Sequence, residues 1–202
     1  MGEVTTTARS RPVVPEPRHA TVQYPGGIRV DARWAGSGGG PAIFALSVSG
    51  GELSDLGSLA GEAYERLCRA ELRVESPSGS WTVRLASPIF DEPAGVLWDG
   101  PGLLVIAYGF LTYGFVARTG ELRWSHRSRS PIVAVLGSSR LDHVITQTEV
   151  ETFALDEVGD VRWRVSHSDV VATASLTGGW LVLESYAGQR VALDPVTGRH
   201  DS

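Results

Sequence analysis

A repeat of about 39 residues runs through the second half of the chain, and it restricts the fold more than any other feature. Gly120, Gly159 and Gly198 recur every 39 residues, within VARTGELRW (Val116–Trp124), LDEVGDVRW (Leu155–Trp163) and LDPVTGRH (Leu193–His200). Trp124 and Trp163 share that spacing, and the apolar pairs Val105-Ile106, Val144-Ile145 and Val182-Leu183 follow it at offsets of 39 and then 38. The middle unit divides into SPIVAVLG (130–137), LDHVITQT (141–148), VETFALDE (150–157) and DVRWRVSH (160–167). Each piece is rich in Val, Ile, Thr and aromatics and is bounded by Gly, Ser, Asp or Glu, which reads as a short strand. Four antiparallel strands in about 40 residues make one blade of a β-propeller. An α-solenoid is disfavoured, because no unit carries a 3.6-residue apolar period and the segments are too short for helices.

The first half is less regular. AELRVESPSGSWTVRL (70–85) reads as the last two strands of another blade, with Gly79 and Trp81 in the places of the turn Gly and the Trp. GIRVDARW (27–34) and PAIFALSV (41–48) are strand candidates joined by AGSGGG. Between these strands and the 70–85 segment the pattern predicts one inserted helix over 54–72, with Leu56, Leu59, Ala60, Ala63, Leu67 and Cys68 on one face and Glu62–Arg66 and Glu65–Arg69 as i,i+4 pairs. Cys68 is then a buried thiol. The expected fold is all-β, a small propeller of about four four-stranded blades (26–87, 88–127, 128–167 and 168–202) with that helix inserted. Residues 1–18 carry three Pro and three Arg with no apolar run, and read as a disordered tail before a single domain over 19–202. The final blade lacks most of a fourth strand, so HATVQYP (19–25) is predicted to pair with Arg190–Asp194 and close the ring.

The turn pattern resembles the quinoprotein-type (PQQ-like) propeller repeat, whose consensus is A-x-D-x-x-T-G-x-x-x-W. The matching residues are Thr119-Gly120 with Trp124; Ala154, Asp156, Gly159 and Trp163; and Ala192, Asp194, Thr197 and Gly198, over about 80–202. The resemblance implies that Gly makes the tight turn between third and fourth strands while Trp docks on a neighbouring blade. Quinone-dependent members of that family have eight blades, a calcium site and an adjacent Cys pair. This chain holds about four blades, one Cys and no Asn, so the resemblance carries the fold and no cofactor is expected.

Composition narrows the chemistry. All 18 basic residues are Arg, which removes Schiff-base and phosphate-loop lysines, and a single Cys removes intrachain disulfides and thiolate metal sites. A net charge of -5 argues against nucleic acid and anionic membranes as partners. The Arg-only, Asn-free composition is what a GC-rich bacterial genome encodes, and a cytoplasmic location is the expectation. The loops joining blades, and those between second and third strands, open on one face of a propeller. That face is predicted to gather His126, Arg127 and Arg129, Glu149, His167 and Asp169, and Tyr186 and Gln189. No metal is assigned, although His126, His167 and Asp169 are the ligand types a metal site would use. The leading reading is a non-catalytic binding or scaffold module presenting this polar face to a protein partner or a small ligand. Two alternatives stay open. One is an enzyme with His126 or His167 as acid–base groups; the other is a lectin-like binder built on Tyr108, Tyr113 and Trp98.

Overall fold

The computed structural model describes residues 17–36 and 67–200. Fifteen strands follow one another within these segments and form four antiparallel sheets, each made of consecutive strands. The first holds β1 (Arg18–Tyr24), β2 (Ile28–Ala35), β3 (Cys68–Ser76) and β4 (Gly79–Ser87). The second holds β5 (Ala94–Trp98), β6 (Leu103–Tyr108), β7 (Leu111–Val116) and β8 (Leu122–Arg127). The third holds β9 (Ile132–Leu136), β10 (Val144–Thr148), β11 (Glu151–Leu155) and β12 (Val161–Ser166). The fourth has three strands, β13 (Val171–Thr177), β14 (Trp180–Ser185) and β15 (Arg190–Leu193), with a single further bridge from Leu193 to His200.

Burial explains the sequence of each strand. β6, β10 and β11 are buried along their whole length, because they lie in mid-sheet with another sheet on each face, and so LLVIAY reads as a continuous apolar run. Among the described residues the first sheet packs against a neighbour on one face. Val30, Ala32, Trp34, Ala70, Leu72 and Val74 turn inward against Leu104, Ile106 and Phe115 of the second sheet. The alternate residues Arg29, Asp31, Arg33, Glu71, Arg73 and Glu75 form a charged outer face, laced by Arg29–Asp31, Arg73–Glu75 and Arg84–Glu71 ion pairs. Such a polar face caps the end of a stack of repeats. Two further clusters join the second sheet to the third, around Trp98, Trp124 and Phe153, and the third to the fourth, around Ile145, Leu181 and Leu193.

One contact recurs at every joint. A Cβ on Gly120 would lie 2.5 Å from the Trp81 ring, one on Gly159 2.8 Å from Trp124, and one on Gly198 2.5 Å from Trp163. These glycines sit at φ 76°, 88° and 71°, so both the turn and the indole packed on it require Gly. The Trp of one sheet thereby seats on the third-to-fourth-strand turn of the next. Trp81 Nε1 donates to Ala117 O at 3.0 Å and Trp124 Nε1 to Glu157 O at 3.1 Å. At the third joint the corresponding carbonyl, Pro195 O, lies 2.8 Å from His143 Nε2, and Trp163 Nε1 is buried without a partner.

Three expectations are corrected. The segment 19–25 does not close a ring. Its residues 19–24 belong to β1, which pairs with β2 over Arg18–Trp34 to Tyr24–Ile28, so the first sheet begins at Arg18 rather than near 26. The helix over 54–72 fails at its C-terminal end, since Cys68–Leu72 open β3; the rest of it, 54–66, lies outside the described residues, as do 41–48 and most of the tail. The alternation of Ala70, Leu72 and Val74 with Glu71, Arg73 and Glu75 has period two, and burial of that one face against the second sheet decides for strand. Third, Tyr108, Tyr113 and Trp98 are core residues, 1%, 2% and 5% exposed, which removes the aromatic platform a lectin-like reading needs.

Candidate functional site

Antiparallel order sends the turns of each sheet to two ends. Connections between second and third strands, and between successive sheets, share one end. They carry Arg129, Glu149, His167, Asp169, Tyr186 and Gln189, and the two other residues singled out in the sequence, His126 and Arg127, finish β8 at the same end. Backbone hydrogen bonds stitch these segments together, from Ser128 N to Phe110 O, Glu149 N to Pro131 O, His167 N to Val150 O, Val171 N to Glu149 O and Tyr186 N to Val170 O, at 2.8–3.1 Å.

Sharing an end does not make one site. His126, at the end of β8, packs its ring 4.9 Å from that of Phe153. Arg164 covers the Phe153 ring at 5.2 Å and pairs with the buried Glu151 at 3.2 Å. Burial, then the Arg164 charge, push the His126 imidazole below its ordinary range. Arg127 stacks over Phe110 at 6.0 Å, Arg129 is exposed, and Tyr186 stands 79% exposed. Glu149 acts here through its backbone. Among the described residues no three His, Cys, Asp or Glu side chains converge in metal-binding geometry.

The remaining three predicted residues do converge. His167, Asp169 and Gln189 line a cleft of about 250 Å³ between the third and fourth sheets. Its floor is apolar, from Val171, Leu183 and Val191, and its rim is completed by Ser166, Ser185 and His200. Burial and the nearby His200 lower the His167 pKa, so its ring is neutral near pH 7.

A chain of buried groups holds that ring. Gln147 Nε2 donates to the backbone carbonyls of Thr148 (2.5 Å) and Glu151 (3.4 Å), which turns Oε1 toward Thr152. The Thr152 hydroxyl donates to Gln147 Oε1 at 2.5 Å and has spent its only proton there. His167 Nε2, 2.6 Å from the same hydroxyl, must therefore carry a proton and donate to it. The neutral ring is fixed as the Nε2–H tautomer, and its Nδ1 lone pair has no acceptor role elsewhere among the described residues.

Sequence reading missed Gln147, Thr152 and His200. A signal existed for the first two. VITQT (144–148) sits where the neighbouring repeat has VIAYG (105–109), and a buried Gln such as Gln147 in a central strand calls for hydrogen-bond partners. A larger groove, about 640 Å³, lies at the opposite end between the first two sheets, lined by the Pro25-Gly26, Ser76–Ser78 and Asp99–Gly102 turns. None of the eight residues reaches it.

Four consecutive antiparallel sheets, joined Trp onto turn, define a β-propeller-type fold. No protein-family model matches the sequence, and no curated protein matches it significantly. Among solved structures it resembles BamB from Moraxella catarrhalis, with 24% identity and a TM-score of 0.50 over 65% of this chain and 41% of that one. It also resembles the dihydro-heme d1 dehydrogenase NirN, with 14% identity and a TM-score of 0.51 over 92% of this chain and 47% of that one. At these identities the likeness is one of fold, and the chain spans less than half the length of either protein.

Proposed function

We propose that the protein is a binding module of PQQ-like propeller-repeat type that seats a side chain of a protein partner, or a small ligand, in the cleft between its third and fourth sheets. The observation that carries this reading is the cleft itself, an apolar floor rimmed by His167, Asp169 and Gln189, with the His167 ring oriented from behind by Thr152 and Gln147. Fixing a ring by a second layer of hydrogen bonds is what a recognition site requires. Its volume lies below the roughly 300–1,000 Å³ of sites that enclose a drug-sized ligand, which favours a side chain over a large cofactor. The acid–base enzyme reading finds less support, because His126 faces Phe153 and does not line the cleft that His167 lines.

A fragment screen read by ¹H–¹⁵N NMR tests the proposal. Hits are expected to shift the amides of 166–171 and 183–191, and His167→Ala is expected to abolish them. Hits confined to the Asp99–Gly102 end would move the site to the other groove and overturn the reading.

A further inference from the structure

We propose that this cleft receives a primary ammonium on an unbranched alkyl chain, as a lysine side chain of a partner protein presents it. The inference rests on reading the cleft as the binding site and names the chemistry it selects. Recognition there falls to hydrogen-bond acceptors. The Thr152–Gln147 chain commits His167 Nε2 as a donor into the protein, so the group left for a ligand is the Nδ1 lone pair. Asp169 uses Oδ1 to accept from Val170 N at 2.7 Å, and its second oxygen is free to accept. The Gln189 side-chain carbonyl and the Ser185 hydroxyl add acceptors on the fourth sheet.

Charge agrees with this. Among the described residues of the lining, Asp169 is the one carboxylate and there is no arginine. Arg164 of β12 and Arg190 of β15 are paired with other carboxylates, Glu151 and Glu184. Size agrees too. At a water-sized share of about 30 Å³ per heavy atom, four methylenes and a nitrogen need roughly 150 Å³, and the cleft offers about 250 Å³. Val171, Leu183 and Val191 cover the methylenes while the rim takes the charge, the division a long amphipathic side chain calls for. The titratable groups facing His167 are His200, beyond β15, and Asp169 on its own segment. Protonating His167 removes the Nδ1 acceptor and places positive charge beside the ammonium, so binding weakens as pH falls.

The test is an NMR titration of the full chain with Nα-acetyl-lysine N-methylamide, with its Nε-acetylated form and pentanoate as comparison probes. At pH 7.5 the lysine probe is expected to shift the amides of 166–171 and 189–191 saturably. Its Kd should rise several-fold at pH 5.5, where the probe itself remains charged. Asp169→Asn keeps the Val170 contact and is expected to weaken binding about tenfold, the loss of one charge-assisted hydrogen bond. Ring ¹⁵N shifts should show His167 Nδ1 unprotonated in the free protein; a protonated Nδ1 overturns the proposal without any ligand. Equal or tighter binding of the acetylated probe or of pentanoate, at the same residues, overturns the ammonium assignment and leaves the cleft as the binding site. If none of the three probes shifts cleft amides, while screening hits map elsewhere, both readings fall.

Discussion

At the scale of single residues, the three Trp-on-turn joints are alike in geometry and unlike in hydrogen bonding. Trp124 is 7% exposed and its indole N–H is satisfied; Trp163 is only half-buried and its N–H is not. Trp124→Ala is expected to lower unfolding free energy by about 3–5 kcal/mol, as other buried large aromatics do. Trp163→Phe is expected to do far less, because removing an unpaired buried donor offsets part of the lost packing. Urea denaturation of the two variants, with their Phe and Ala counterparts, measures the difference. His126 and His167 both have depressed pKa values, chiefly from burial. The folded state then binds fewer protons than the unfolded chain below the free-histidine pKa of about 6.5. Their contribution is complete above that pH and is lost as pH falls toward the folded pKa values. The melting temperature is expected to drop between pH 7 and pH 5, and His126→Phe, which keeps a ring against Phe153, should flatten that slope.

For individual elements, the informative strand is β1. HATVQY alternates Ala20, Val22 and Tyr24 with the polar Thr21 and Gln23 and carries no mark of its partner, and an edge strand of that kind serves equally for the first blade or for closing the last. The structure pairs it with β2 through seven residue pairs, Arg18–Trp34 to Tyr24–Ile28. Deleting residues 1–16 is expected to leave unfolding unchanged, whereas deleting 1–24 uncovers the edge of β2. Hydrogen exchange separates this arrangement from ring closure. The longer deletion should speed exchange in Ile28–Ala35 and leave Arg190–Leu193 as it was. Loss of protection in β15 instead would restore the closed ring. β3 teaches a related lesson, since residues 68–72 satisfy a helical and a strand period together, and the second sheet selects the strand.

At the scale of the whole molecule, the core of the described residues falls into three clusters, each shared by two consecutive sheets. Stability in such a stack is the sum of sheets and nearest-neighbour joints, so damage stays local. Leu183→Ala, at a side chain 2% exposed in the third joint, is expected to cost about 2–5 kcal/mol. Native-state hydrogen exchange should then show the fourth sheet opening first while the first and second keep their protection. Uniform loss across all four sheets would mean that the stack unfolds as one unit.

The chain by itself determined whatever a short window records. Val/Ile/Thr runs set the strands, and the turn Gly and the Trp, each recurring at a 39-residue spacing (Gly120, Gly159 and Gly198; Trp124 and Trp163), set the joints, because a positive φ and a flat side chain are local requirements that leave a periodic trace. The end of the stack where the loop residues gather follows from antiparallel order alone. Only the tertiary structure decided which of these residues meet. His167, Asp169 and Gln189 share a cleft with His200, while His126 is turned onto Phe153 of the next sheet. The tautomer of His167 depends on Gln147, twenty residues earlier on a different strand, through one hydroxyl proton on Thr152. Strand partners and side-chain contacts of this kind are energies between distant segments, and they leave no period in the sequence that could announce them.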